Sequence, residues 1–133
     1  MASGDFVLAE PPADPHARQL WLQHAAGLIL FEDVRGYARS LVDANAPENE
    51  RAAAFAAIDD TVYGVMRVID GIPGPFRGNG RSISLQTRVH LESEIDGHLE
   101  EELDLGAGDG MAIGFHGWLE GDFGESPLAS PRK

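Results

Sequence analysis

The sequence predicts one α+β domain in which two long N-terminal helices pack on an antiparallel β-hairpin. A short glycine-rich helix, or a third strand, is expected to follow the hairpin. Apolar residues recur at steps of three and four up to Asp70 and then alternate from Ser82 onward, which is typical of helices followed by strands. With 133 residues, 43% of them hydrophobic, the chain has the size of a single domain. We expect that domain at residues 14–123, between a flexible arm at 1–13 and a flexible tail at 124–133.

The first helix is expected from about Asp14 to about Ala44. Asp14 can accept a hydrogen bond from a free amide of the first turn, and Pro15 suits the first helical position. Glycine is a poor helix former, so Gly27 and Gly36 are the expected kinks.

The second helix should follow a connection at 45–48, with Pro47 suited to its first turn, and end near Asp70. Gly71 is a suitable C-cap, Pro73 cannot continue a helix, and residues 71–80 form a long turn-rich loop. The helix has the clearest apolar face in the chain, formed by Phe55, Ile58, Val62, Met66 and Ile69.

Alternation from Ser82 predicts a half-buried strand, and Leu99 begins a partner strand with the same pattern. A two-residue turn at Asp96-Gly97 would place a glutamate on the buried face. A three-residue loop at 95–97, with Gly97 in the left-handed conformation, instead pairs Val89 with Leu103. The second register is the one we expect.

That register gathers carboxylates on the solvent face of the hairpin. They are Glu92, Glu94, Glu100, Glu102 and Asp104. Glu101 falls on the apolar side. The chain has 22 acidic against 10 basic residues, a net charge of −12, and neither Lys nor Arg from Val89 through Pro131. Such a surface repels phosphate backbones and anionic lipid, so we expect a protein partner with a basic surface, and neither nucleic acid nor membrane.

The sequence of residues 111–119 is compatible with two kinds of secondary structure, a strand and a helix. Met111, Ile113 and Phe115 alternate as in a third strand, whereas a helix with Asp109 as its N-cap would gather the larger apolar side chains on one face. We favour the helix. Glycines recur at helical steps at Gly110, Gly114, Gly117 and Gly121. Each one inside a helix costs about 1 kcal/mol relative to alanine, which predicts that another backbone approaches them closely.

Two carboxylates in the second helix are candidates for chemistry. Asp59 and Asp60 lie mid-helix beside Tyr63 and could bind a metal or transfer a proton if they face a cleft. The alternative is that both lie on the polar flank and contact solvent or Arg67.

A second candidate lies near the C-terminus. In a helix, His116 and Glu120 are four residues apart and could ligate one cation, with Trp118 beside them. The alternative is that His116 packs or caps. Together with the acidic pair and Tyr63, these residues could line one pocket.

Several classes of protein are excluded or disfavoured. Because cysteine is absent, the chain has no disulfide, thiolate nucleophile or cysteine-bound zinc. It has no metalloprotease, P-loop, nucleophile-elbow or dinucleotide-binding motif. No apolar run is long enough for a membrane helix, and the first residues lack the basic region of a signal peptide. The sequence favours a cytoplasmic protein without cofactor, predicts no catalytic or metal-binding residue firmly, and points away from an enzyme.

Two stretches resemble a motif of small uncharacterised bacterial proteins. One comprises Gly108–Met111 and Gly114–Phe123, and the other, Asp59–Gly64, is similar to their middle helix. The resemblance implies no particular activity. In size and acidity the chain also resembles the immunity proteins that neutralise bacterial toxins.

Three functions follow as hypotheses. The leading one is a non-enzymatic acidic protein-binding domain, in its narrower form an immunity-type inhibitor of a basic partner. The second is a small metal- or ligand-binding hydrolytic domain that uses Asp59, Asp60, His116 and Glu120. The third is a structural homo-oligomer.

Overall fold

The computed structural model describes residues 3–124 and 126–131 and shows a mixed α+β fold. Residues 1, 2, 125, 132 and 133, which belong to the predicted arm and tail, lie outside the described residues. The helices are α1 (Pro15–Leu30), α2 (Tyr37–Ser40), α3 (Glu48–Ile69) and α4 (Met111–Leu119), and a π-helical turn (Phe31–Gly36) joins α1 to α2. The strands form three two-stranded antiparallel sheets, which pair β1 (Phe6–Leu8) with β6 (Leu128–Pro131), β2 (Phe76–Gly78) with β3 (Arg81–Ile83), and β4 (Arg88–Glu92) with β5 (Leu99–Asp104).

The start of α1 confirms the predicted cap. The Asp14 carboxylate accepts a hydrogen bond of 2.9 Å from the Ala17 amide, and Pro15 is the first helical residue. The end differs from the prediction, because regular α-helix stops at Leu30 and helical backbone continues only to Ser40. The irregularity is the π-helical turn, so the predicted kink at Gly27 is wrong.

Helix α3 ends where it was predicted to end, and Pro47, predicted for its first turn, is instead its N-cap. It begins directly after Pro47 and ends at Ile69, with Asp70 as C-cap and Gly71 at φ +74°. Val62, Met66 and Ile69 are buried on its inner face. The strong apolar period and the chemistry of the stop signal were enough to locate this helix.

The segment after α3 contains a hairpin that the sequence analysis placed in a loop. Phe76 lies opposite Ile83, and the connecting Asn79 and Gly80 have φ of +55° and +71°, as in a tight two-residue turn. The strand predicted from Ser82 is therefore not continuous, because β3 ends at Ile83 and β4 begins only at Arg88.

The register of β4 and β5 is the predicted one over most of its length. Val89 lies opposite Leu103, and Gly97 has φ +73°. Near the turn the register shifts, so that Glu92 lies opposite Leu99 and Glu100 becomes the extra residue of a bulge. The loop consequently has four residues, 94–97, and the predicted three-residue loop is wrong.

One hydrophobic core joins α1, α3, α4 and the β4–β5 hairpin. Its largest buried side chains include Trp21, Leu22, Met66, Leu105, Met111, Phe115 and Trp118. The helix at 111–119 is thus present, and it contributes the tryptophan at the centre of the packing.

The Trp118 ring occupies the space beside two glycines. A Cβ on Gly27 of α1 would lie 2.3 Å from the ring, and one on Gly114 of α4 would lie 2.7 Å from it. The glycines therefore make room for an indole at these two sites. The predicted approach of another backbone occurs only at Gly117, where the Asp122 carbonyl oxygen lies 3.4 Å from an added Cβ.

The two terminal segments pair with each other. Val7 lies opposite Ser130, and the Ala9 amide donates to the Pro127 carbonyl at 2.7 Å. Ser3 donates to the Asp33 carboxylate through its amide and its hydroxyl, which holds the pKa of Asp33 below its ordinary value. The sequence predicted no strand in either segment.

Candidate functional site

The acidic hairpin β4–β5 presents carboxylates whose surroundings differ. Glu102 is paired with Arg88, and the His90 imidazole lies 3.4 Å from Glu102 and 3.7 Å from Glu92. Asp104 accepts a hydrogen bond of 3.0 Å from the Gly106 amide. The two remaining members of the predicted acidic face, Glu94 and Glu100, are both exposed.

Glu94 and Glu100 form no ion pair within residues 3–124 and 126–131. No neighbouring cation among the described residues offsets the charge of either carboxylate. These two residues are therefore the members of the acidic face whose charges are neither paired nor shielded by the fold.

The glutamate that falls on the apolar side has a partner that the sequence did not reveal. Glu101 lies 3.6 Å from the Arg18 guanidinium, which projects from α1. Because α1 packs over this side of the hairpin, Arg18 lies close enough to compensate the charge of Glu101, whose position the prediction left unexplained.

The tip of the hairpin carries an apolar side chain that the sequence analysis overlooked. Ile95 is 97% exposed and stands between Glu94 and Asp96. The turn is held by local hydrogen bonds, in which the Ile95 amide donates to Ser93 Oγ at 3.2 Å and the His98 amide donates to the Asp96 carboxylate at 2.9 Å. An apolar residue between two acids in a turn is the signal that could have identified it.

The predicted pocket residue Asp59 is bound to arginine. Arg35 of the π-helical turn approaches it with two nitrogens, at 2.6 and 3.3 Å, and Arg39 lies 3.9 Å away. The two guanidinium groups also stack on Phe31 and Phe55, at 4.4 and 4.0 Å from the ring centroids. Asp59 thus connects α3 to the turn after α1, and the partner expected from its own helix, Arg67, is not the one it uses.

Only part of the predicted pocket comes together. Tyr63 and His116 lie with ring centroids 5.4 Å apart and line an open cavity of about 260 Å³. The residues around this cavity do not include Asp59, Asp60, Trp118 or Glu120. Within the described part of the chain, no three side chains of His, Cys, Asp or Glu form a group that could hold a metal ion.

Trp118 belongs to the core, because it is only 1% exposed. Its indole N–H donates to His24 Nδ1 at 2.9 Å, across the interface between α4 and α1. The tryptophan is consequently unavailable either to a pocket or as an exposed anchor for a partner, as is the buried Phe115.

Two polar side chains hold the segment that leads into α4. The Gln23 amide group, 3% exposed, accepts from the Asp109 amide at 2.8 Å and donates to the Gly110 carbonyl at 3.1 Å. The Asp70 carboxylate accepts from the amides of Met111 and Ala112 at 2.7 and 2.9 Å. The cap of α4 is therefore Asp70 from the end of α3, and the prediction of Asp109 as the cap is wrong.

His24 is expected to make the stability of the fold depend on pH. Burial lowers the pKa of its imidazole below the ordinary value of 6.5, and the Asp122 carboxylate opposes part of that shift. Between pH 6.5 and the lower pKa of the folded state, the unfolded chain binds a proton that the folded chain does not. The free energy of unfolding therefore decreases as the pH falls from 6.5 to the folded-state pKa. Protonation of Nδ1 also removes the acceptor for Trp118.

The measurement is urea unfolding of the wild type and of His24→Asn between pH 7 and pH 5. Asparagine can keep an acceptor near Nδ1 and does not titrate, so the wild type should lose more stability than the variant as the pH falls. A constant difference between the two proteins across this range would contradict the assignment to His24.

Comparison with known proteins identifies no relative. A scan against models of protein families, a search of the curated proteins and a search of the solved structures each found no match. Among the described residues, no helix has both the length and the apolar character needed to cross a membrane.

Proposed function

We propose that the chain is a non-enzymatic protein-binding domain whose acidic hairpin β4–β5 contacts a basic surface of its partner. One observation supports this proposal best. The exposed Ile95 lies near two carboxylates without an ion-pair partner among the described residues, those of Glu94 and Glu100, at one end of the hairpin. In its narrower form, the proposal is an immunity-type inhibitor that covers a basic site on its target.

Charge and apolar contact have separate roles in this proposal. The net charge of −12 and the carboxylates of the hairpin accelerate the encounter with a cationic surface and orient the chain toward it. Exposed ion pairs add little affinity on their own. Burial of Ile95 supplies the contact that persists after docking, since well-packed apolar side chains at the centre of an interface contribute most of its binding energy.

The hydrolytic alternative has less support. It requires Asp59 to meet His116 and Glu120, whereas Asp59 is paired with Arg35 and Arg39. Tyr63 and His116 do share a cavity, but no carboxylate named in that hypothesis lines it.

The test uses an oligo-arginine peptide as a defined cationic probe and follows the backbone amide signals of the chain by NMR. The largest shifts are expected at residues 94–99. Glu94→Gln/Glu100→Gln should weaken binding about tenfold, because each exposed pair contributes up to about 1 kcal/mol. Added salt should weaken binding of the wild type.

The matched control is Glu48→Gln/Glu50→Gln at the start of α3, which changes the net charge by the same amount. It should leave binding within about twofold of the wild type. If both double variants weaken binding of the peptide equally, binding depends only on the net charge and the hairpin is not the site.

A further inference from the structure

The β2–β3 hairpin leaves a large apolar surface uncovered. Phe76 is 72% exposed and lies opposite Ile83, which is 62% exposed, and Leu85 just beyond is 72% exposed. All six residues of the two strands are exposed. An isolated two-stranded hairpin is only marginally stable in water, and a contiguous exposed apolar patch marks an interaction surface.

The same hairpin is the basic part of an acidic chain. Residues 76–83 contain no Asp or Glu but two arginines, whereas residues 92–104 contain seven acids. Arg77 and Arg81 form no ion pair within the described residues, and both are exposed. Arg81 lies on the same face as Phe76 and Ile83, because paired and alternate residues of a hairpin share a face.

The chain therefore carries two surfaces that complement each other. The basic hairpin offers Arg81 beside an apolar pair, and the acidic hairpin offers Glu94 and Glu100 beside the exposed Ile95. The repulsion that accompanies a net charge of −12 acts over a screening length of about 8 Å at physiological salt, so charges in direct contact outweigh it at the docking site.

We propose that the β2–β3 hairpin docks on the acidic β4–β5 hairpin of a second copy of this chain, which rests on the proposed function of that acidic hairpin. Each copy carries both surfaces, so a two-fold symmetric dimer makes the contact twice. Docking buries Phe76 and Ile83 against Ile95 and places Arg81 beside the unpaired glutamates. The basic hairpin of the second copy thereby occupies the surface that is proposed to bind a basic partner.

The first experiment measures the oligomeric state by sedimentation over a range of concentrations at physiological salt. The wild type should dimerise. Arg81→Glu should weaken dimerisation at least about tenfold, because like charges then face each other. Glu94→Arg/Glu100→Arg should do the same in a separate experiment. An equimolar mixture of the two variants should form heterodimers, since each contact again joins opposite charges.

The second experiment separates this inference from the proposed function. Phe76→Ser/Ile83→Ser should weaken dimerisation about tenfold and leave the binding of oligo-arginine to the acidic hairpin unchanged or stronger. Circular dichroism checks that each variant folds.

Three results would overturn the inference. If the wild type stays monomeric while oligo-arginine still binds at residues 94–99, the dimer is refuted and the proposed function is retained. The same conclusion would follow if a monomeric chain bound a single-stranded oligonucleotide through Arg77 and Arg81. Variants that fail to form heterodimers on mixing would show that the two hairpins are not each other's partners.

Discussion

Replacement of Gly27 by alanine should lower the free energy of unfolding by about 2–3 kcal/mol, the upper part of the range for an overpacked core. The added Cβ would lie 2.3 Å from the Trp118 ring. Its contacts oppose movement of the ring, which stacks on Phe123 with centroids 6.0 Å apart, packs against Gly114 on α4, and donates a hydrogen bond to His24. Either Trp118 or α1 must therefore shift, and both are part of the core.

The matched control is Gly64→Ala, the same substitution inside α3. Apart from its chain neighbours and the backbone of its own helix, no atom of the described residues lies within 4 Å of a Cβ added there, and the backbone is ordinary helix. Alanine should raise the free energy of unfolding by about 0.5–1 kcal/mol, because it reduces the freedom of the unfolded chain. Urea unfolding of both variants tests the packing. A change of the same sign in both would contradict the position of Trp118.

Replacement of Asp70 by alanine is the second large effect, with an expected loss of about 2 kcal/mol. The carboxylate accepts from the amides of Met111 and Ala112, and these donors would lose their partners at the start of a helix whose first two residues are buried. Asp70→Asn keeps one acceptor and should lose about half as much. Hydrogen exchange of the two amides should accelerate in both variants, more in the alanine variant.

Asp60→Ala controls for the removal of an aspartate from the same helix. Asp60 is exposed, so its replacement should change stability by less than about 0.5 kcal/mol. If Asp60→Ala destabilised the fold as much as Asp70→Ala, the effect would come from the loss of charge and the capping role would be refuted.

Local signals in the sequence were sufficient where a single segment decides its own structure. The N-cap at Asp14, the period of α3 and the stop at Gly71 all act within a few residues, and each was confirmed. The two-residue turn at Asn79-Gly80 was overlooked because the surrounding glycines and prolines were interpreted as one loop.

The hairpin β4–β5 shows how far alternation can be used. Parity identified the pairing of Val89 with Leu103, since a slip by one residue would bury charge. It could not reveal the bulge at Glu100, because the bulge depends on how the turn closes and leaves the alternation of the remaining pairs intact.

Contacts between distant segments were beyond the sequence. Asp59 meets Arg35 across 24 positions, and Asp70 caps a helix that begins 41 positions later. Neither spacing reflects a local geometry. Asp59, a candidate for chemistry, therefore forms an ion pair between two helical segments, and Asp70, the C-cap of α3, also caps the start of α4.

Alternation accounts for the outward positions of Glu102 and Asp104, whereas Glu94 lies in the loop and Glu100 in the bulge. The sequence signals Ile95 only as an apolar residue between two acids, and its 97% exposure depends on the shape of the turn.

The pairing of β1 with β6 determines how the molecule responds to tension. Phe6 lies opposite Pro131, so a force that pulls the two ends apart acts on this outermost pair of the sheet once the hydrogen bonds from Ser3 to Asp33 have broken. The hydrogen bonds between the two strands then break one after another, each carrying the strain alone. The sheet should unzip at low force while the helices around Trp118 still resist, which makes the closure of the two ends the mechanical weak point of the fold.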